Sequence, residues 1–175
     1  MFKPRTLTSA LVVAVLVFAL AFLAPGQARA SHLNSGLVVS LGTPVVLVSG
    51  VYLEVPIDVT CPVLPPPDTA IFSDDVSVRV TENTGKVITT GFGDISFQSP
   101  AFNGIGFGTP LSCDGGSHTY TVDVFPSGSS PFHGGRAVGT GSVNLSVYDP
   151  TNPCVFCTAD QNFAQAVPTS INIRG

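Results

Sequence analysis

Eleven consecutive residues, 51–61, alternate strictly between two kinds of side chain, and this pattern constrains the fold more than any other feature of the chain. The odd positions carry only Val, Leu, Ile and Cys, whereas the even positions carry Tyr, Glu, Pro, Asp and Thr. Successive side chains of a strand point to opposite faces, so the alternation predicts a β-strand with one buried face. Pro56 belongs to the outward set and lacks a backbone donor, which predicts that this strand lies at a sheet edge or is bulged there.

The same alternation predicts further strands along the chain. Residues 76–81 and 87–90 flank the turn residues of 83–86, which predicts a hairpin. The remaining candidate strands are 37–41, 45–48, 119–124, 142–147 and 166–173, with one or two short ones in the Gly- and Phe-rich stretch 91–108. The total is about seven to nine strands separated by Gly and Pro turns, which predicts an all-β, antiparallel immunoglobulin-like β-sandwich. No helix is predicted after Ala30.

Residues 61–75 contain four prolines, which favour an extended connection over a strand. The paired carboxylates Asp74 and Asp75 fall in this segment, and we interpret them as part of a solvated loop, with weak calcium binding as the alternative. If they lay on a strand, adjacent side chains would point to opposite faces, which argues against a shared acid-base task.

The first 30 residues have the order of a secretory signal peptide. Lys3 and Arg5 precede an unbroken apolar run, residues 10–23, and Ala28-Arg29-Ala30 supplies a small-x-small cleavage site. A membrane anchor is the alternative, but the apolar run would span about 21 Å as a helix, less than the core of a bilayer, about 30 Å thick. We therefore expect a signal-peptide helix cleaved after Ala30, a secreted, extracellular protein and no stable membrane insertion after cleavage.

What remains after cleavage is one predicted β-sandwich domain, residues 31–175, with a core of about 37–148 and a C-terminal extension of 149–175. The whole chain has a net charge of −4, and the signal peptide holds three of its seven basic side chains. The other four stand against eleven acidic ones. Binding of nucleic acid requires a basic patch that displaces counterions from phosphates, so this charge excludes nucleic acid as an expected partner.

Four cysteines follow the signal peptide, and an exported chain meets conditions in which thiols pair. Three pairings are possible. We favour Cys61 with Cys113 and Cys154 with Cys157, because the close pair lies in a segment of strong turn character. The Cys-x-x-Cys spacing of the close pair also fits a redox centre or part of a metal site, but no amphipathic helix follows it and no second ligand pair exists.

Several turn and core positions resemble a known group of proteins. Cys61 ends a long alternating strand, Cys113-Asp114-Gly115-Gly116 precedes an aromatic-bearing strand, and Phe132-His133-Gly134-Gly135-Arg136-Ala137 precedes a last long strand. Over roughly residues 51–147, the arrangement resembles small secreted immunoglobulin-like proteins of actinomycetes whose function is mostly unassigned. The resemblance implies a β-sandwich in which Cys61 and Cys113 pair, and it carries no catalytic residue across.

Residues for catalysis are scarce, since the histidines are His32, His118 and His133. A partnership of His118 or His133 with Asp114 or Asp123 is conceivable, but no motif for nucleophilic, metal or phosphate chemistry accompanies it. We predict no catalytic residue, no metal and no cofactor.

Phenylalanines on glycine-rich loops are the feature most open to a functional interpretation. Phe97, Phe102, Phe107 and Phe132 are candidate ligand-binding residues that could form an apolar cleft, and the alternative is that they plug the ends of the core. The leading hypothesis is a secreted, non-enzymatic binding or cell-surface interaction module. The alternatives are a carrier of a small apolar ligand or chromophore and a small secreted hydrolase. The expected partners are an extracellular protein, a cell-envelope component or a small apolar ligand.

Overall fold

Nine β-strands and no helix make up the part of the chain that the computed structural model describes, residues 36–66, 69–100, 104–151 and 160–175. The strands are β1 Val38–Leu41, β2 Val45–Val48, β3 Tyr52–Thr60, β4 Ala70–Asn83, β5 Ile88–Gln98, β6 Ser117–Pro126, β7 Gly135–Tyr148, β8 Asp160–Gln165 and β9 Thr169–Arg174. The predicted all-β class is confirmed.

Hydrogen bonds join the strands in the order β1-β3-β2-β9-β7-β4-β5-β6, with β8 beside β7. Because β6 also pairs with β3, the pairing path closes on itself. The expectation of a purely antiparallel sheet is wrong at one place. Val45 and Val46 of β2 pair in parallel with Ile173 and Arg174 of β9, so the sheet is mixed. A pattern of alternation reports which face is buried and carries no information on strand direction, which is why the sequence missed this pair.

The core lies on the inward faces of the strands, as the alternation requires. β3 alternates between buried and half-buried positions from end to end. The side chains with no exposed surface are mostly β-branched, which suits a pleated buried face. They are Val45, Leu53, Val55, Ile57, Cys61, Val76, Val80, Val122, Val124, Val143 and Leu145.

Pro56 does not mark an edge strand, because β3 is paired on both sides. One side of β3 faces β6, and the other faces β2 at Tyr52–Glu54 and β1 at Ile57–Thr60. Pro56 lies opposite the break between β1 and β2, where its carbonyl accepts a hydrogen bond from the Gly42 amide at 2.8 Å. The missing donor therefore costs no ladder hydrogen bond, and the prediction that Pro56 marks an edge strand is wrong.

Two segments contribute more strand than the sequence predicts. β4 begins at Ala70, so Asp74 and Asp75 lie on a strand and not in a solvated loop, and Asp74 faces the interior. Residues 160–175, part of the predicted C-terminal extension, supply β8 and β9, whose Ile171 and Ile173 belong to the core. Prolines occupy only the first part of 61–75, which leaves the later residues free to pair.

The predicted disulfide between Cys61 and Cys113 is confirmed, and it joins the end of β3 to the segment that leads into β6. The disulfide is compatible with an extracellular protein. The pair Cys154 and Cys157 and the signal peptide of residues 1–30 lie outside the described residues. Where the chain is described, it contains no helix long and apolar enough to cross a membrane.

Candidate functional site

Three aromatic side chains lie side by side on the outer face of the protein, and we call them the aromatic row: Tyr52, Phe125 and Phe92. The Tyr52 and Phe125 rings stack with their centroids 5.2 Å apart. Phe125 of β6 and Phe92 of β5 are register partners, so their side chains leave the sheet on the same face. Phe125 is 52% exposed and Phe92 is 45% exposed. Large apolar side chains grouped on the surface are typical of a binding site.

Glycines on the inward face of β5 make this row possible. The β5 and β6 strands pair through only two residue pairs, next to Phe92. A Cβ at Gly91 would lie 2.5 Å from the Phe132 ring and 2.7 Å from the Phe125 carbonyl oxygen. A Cβ at Gly93 would overlap the backbone carbonyl of Asp123. Only glycine lets the two backbones approach this closely, and the approach brings Phe92 beside Phe125.

A shallow polar groove of about 360 Å³ continues from the row on the outer face. Phe92 is the register partner of Arg79 on β4, and Arg79 is the partner of Thr140 on β7. The hydroxyl groups of Ser77 and Ser142 form a hydrogen bond of 2.8 Å across these two strands. Besides Phe92, the groove is lined by five polar side chains, which we call the polar groove: Ser77, Arg79, Thr140, Ser142 and Gln165.

Carboxylates lie near one end of the polar groove. Asp94 is the register partner of Ser77, and Asp75 lies on the same outer face of β4. Burial, and then the charge of Asp94, raise the pKa of Asp75 above its ordinary value. The groove itself offers hydroxyl, amide and guanidinium groups, so it has both donors and acceptors, and the two carboxylates lie beyond its lining.

Of the predicted phenylalanines that the structure describes, Phe132 lies apart from Phe97 and Phe107. Phe97 is half-buried on β5, and Phe107 is exposed on a segment that bridges back to Gln98. Phe132 is 2% exposed and packs in the core beside Gly91. Gly91 lies six residues before Phe97 on β5. Phe102 lies outside the described residues. Phe132 therefore occupies a core position, which is the alternative that the sequence left open for it.

The two histidines in the described residues, His118 and His133, each lie near a carboxylate. His118 Nε2 lies 2.9 Å from Asp114 Oδ1, and the Gly116 amide donates to the same oxygen at 2.8 Å. The hydrogen bond with His118 and then that from Gly116 lower the pKa of Asp114. His133 Nδ1 lies 3.7 Å from Glu82. Asp114 and His118 are exposed at the turn into β6. Their hydrogen bonds join residues no more than four positions apart, as is usual within a turn.

Over the described part of the chain, no group of three or more His, Cys, Asp or Glu side chains is arranged to hold a metal ion. No protein-family model, curated protein or solved structure matches the chain. The resemblance to secreted actinomycete proteins stays a prediction.

Sequence reasoning missed the aromatic row, although its signal was present. Tyr52 stands in the outward set of β3, and Phe125 continues the outward set of Thr119, Thr121 and Asp123 on β6. A large aromatic at an outward position of a strand is the sign that identifies such a surface.

Proposed function

We propose that the protein is an extracellular, non-enzymatic binding module that holds a polysaccharide, such as a component of the cell envelope, along the aromatic row and the polar groove. In this proposal residues 1–30 export the chain, and the strands form an immunoglobulin-like β-sandwich that presents the site. The observation that carries the proposal is the contiguity of the two surfaces, which share Phe92.

The aromatic row supplies an apolar platform that is fixed in place. Sugar rings have apolar C–H faces, which pack on aromatic faces, and the Tyr52 and Phe125 rings stack on each other, so each leaves only its other face for such packing. These side chains project from paired strands, so little conformational entropy is lost when a ligand packs on them.

The polar groove supplies what the other side of a sugar requires. Each sugar hydroxyl both donates and accepts hydrogen bonds, and Ser77, Thr140, Ser142 and Gln165 can do both as well. Among the groove residues Arg79 alone carries a charge, and it donates in a fixed planar geometry. A protein partner would favour an apolar centre surrounded by a polar rim, whereas here the apolar row and the polar groove lie side by side.

Sedimentation with insoluble polysaccharides tests the proposal. The purified, oxidised protein is mixed with cellulose, chitin or bacterial peptidoglycan, and the bound fraction is measured against concentration. We expect saturable binding to at least one of them. The Phe125→Ala substitution should weaken that binding about ten-fold or more, because it removes the central ring of the row. A ten-fold loss of affinity corresponds to about 1.4 kcal/mol of binding free energy.

Phe107→Ala is the matched control. Phe107 is 52% exposed and pairs with Gln98, six residues beyond Phe92 along β5, so its removal deletes the same ring from a part of the surface outside both the row and the groove. Binding by this variant should stay within two-fold of the unsubstituted protein. Equal losses for the two variants, or no retention by any of the three polysaccharides, would contradict the proposal, and capture of a protein partner by the row alone would replace it.

A further inference from the structure

A second cavity lies beside Leu111, two residues before the disulfide-bonded Cys113, away from the aromatic row. Its volume is about 350 Å³, and its walls include Ile95, Leu111 and Tyr120. Another cavity of about 260 Å³ lies on the other side of Leu111, with Leu64, Ile71 and Phe97 in its walls. Of these two cavities, only the one of about 350 Å³ reaches the size range of small-molecule sites, which begins at about 300 Å³.

Asp74 supplies a carboxylate to the mostly apolar walls of the larger cavity. Asp74 is only 5% exposed, and its Oδ2 accepts a hydrogen bond from the Leu111 amide at 2.9 Å. No described lysine, arginine or histidine forms an ion pair with it. Burial raises the pKa of Asp74 to about 6, against the lowering effect of the Leu111 amide. Its carboxylate is therefore mostly charged at neutral pH.

We propose that this cavity binds a small apolar molecule that carries a protonated amine, with the ammonium group on Asp74 and the apolar part against Ile95, Leu111 and Tyr120. A buried carboxylate without a cationic partner is costly, so a ligand that brings the missing positive charge gains more than a neutral one. A carboxylate ligand would add a second negative charge beside Asp74, and it is excluded by the same reasoning. The site is independent of the proposed polysaccharide surface, which lies on the outer face.

Three probes that share one apolar part separate charge from shape. 4-Phenylbutylamine, 4-phenylbutanol and 4-phenylbutanoate are titrated separately into the full, oxidised protein at neutral pH, and the heat of binding is measured by calorimetry. We expect saturable binding of the amine at least ten-fold tighter than that of the alcohol, and no binding of the carboxylate. Equal affinity for the amine and the alcohol would overturn the role of the charge.

The Asp74→Asn variant tests the residue itself. Asparagine keeps an oxygen that can accept from the Leu111 amide and removes only the charge, so binding of the amine should fall about ten-fold, to the level of the alcohol. Asp123→Asn is the matched control, since it removes a charge from the exposed, outward face of β6 and should leave the affinity within two-fold. An equal loss in both variants would overturn the assignment to the cavity.

A measurement on the unsubstituted protein keeps the proposal testable if Asp74→Asn fails to fold. Chemical shift changes on adding 4-phenylbutylamine should concentrate at Ile95, Leu111 and Tyr120. Changes concentrated at Tyr52, Phe125 and Phe92 would place the amine on the outer face and overturn the proposal, without bearing on whether polysaccharide binds there.

Discussion

Asp74 and Glu82 are two carboxylates on the inward face of the same strand, β4, and their surroundings differ. Glu82 is 1% exposed, and its two oxygens accept hydrogen bonds from the His133 amide at 2.8 Å and the Gly134 amide at 2.9 Å. Asp74 accepts one amide hydrogen bond, from Leu111, and lines a cavity. Burial alone therefore does not tell a structural carboxylate from one that can bind a ligand.

The difference lies in how the neighbouring loop uses each side chain. At Glu82, two consecutive amides of the loop before β7 point at one carboxylate, which fixes that loop and leaves neither oxygen of the carboxylate without a donor. At Asp74, the covering segment donates a single amide and is attached by the disulfide at Cys113, two residues after Leu111. We infer that the Glu82 end is held by charge-assisted hydrogen bonds, whereas the Asp74 end is held by a covalent bond.

Removal of the Cys61 to Cys113 disulfide should give the largest effect. In the Cys61→Ala/Cys113→Ala double variant, the free energy of unfolding should fall by about 4 kcal/mol, because the closed loop that limits the unfolded chain is lost. Urea denaturation measures this loss. Amide exchange in the folded variant should speed up at Leu111 and stay slow at His133 and Gly134. Uniform exchange at both ends would contradict the distinction between them.

Glu82→Gln should give the next largest effect. One of the two backbone amides then faces an NH₂ group instead of an oxygen and loses its acceptor inside the protein, so we expect a loss of about 3 kcal/mol in the free energy of unfolding. Glu54→Gln on β3 is the control, because Glu54 lies on the half-buried outward face and should change stability by less than about 0.5 kcal/mol. A loss at Glu82 no greater than that at Glu54 would show that the two amides do not depend on this carboxylate.

Asp74 should affect stability through pH. Its pKa is raised from 3.8 to about 6 on folding, so the folded protein binds the proton more tightly than the unfolded chain. The stability that this proton provides is fully present below the unfolded pKa and is lost as the pH rises through the folded one. The loss is on the order of 2 kcal/mol between about pH 4 and pH 7.

Comparison with Asp74→Asn isolates this contribution, since Asp75 has a raised pKa as well. Urea denaturation across the pH range should show the unsubstituted protein losing stability relative to Asp74→Asn as the pH rises. A constant difference between the two proteins would mean that Asp74 does not titrate in this window.

The alternation of side chains predicted both the all-β class and the buried faces, because every second residue of a half-buried strand is apolar. The alternation also indicates that the two carboxylates face inward, since Asp74 and Glu82 continue the inward set of Val76, Val78 and Val80. The acidic character of the pair Asp74 and Asp75 suggested a loop instead, and in the structure the strand register decided the outcome.

Other features depend on which strands become neighbours in the sheet, and the side-chain pattern of a single sequence does not give the strand order. The aromatic row requires β6 to lie between β3 and β5, and the larger cavity requires the segment before Cys113 to cross β4 and β5. The resemblance to secreted proteins implied the pairing of Cys61 with Cys113 but not the cavity beside Leu111.

The parallel pairing of β2 with β9 joins residues 45 and 46 to residues 173 and 174, so no early portion of the growing chain can complete this sheet. β2 keeps an unpaired edge until residues 173 and 174 pack beside it. Contacts this distant along the chain slow folding and prolong the lifetime of aggregation-prone intermediates. The edge of β2 is therefore protected from pairing with other chains only once β9 is in place.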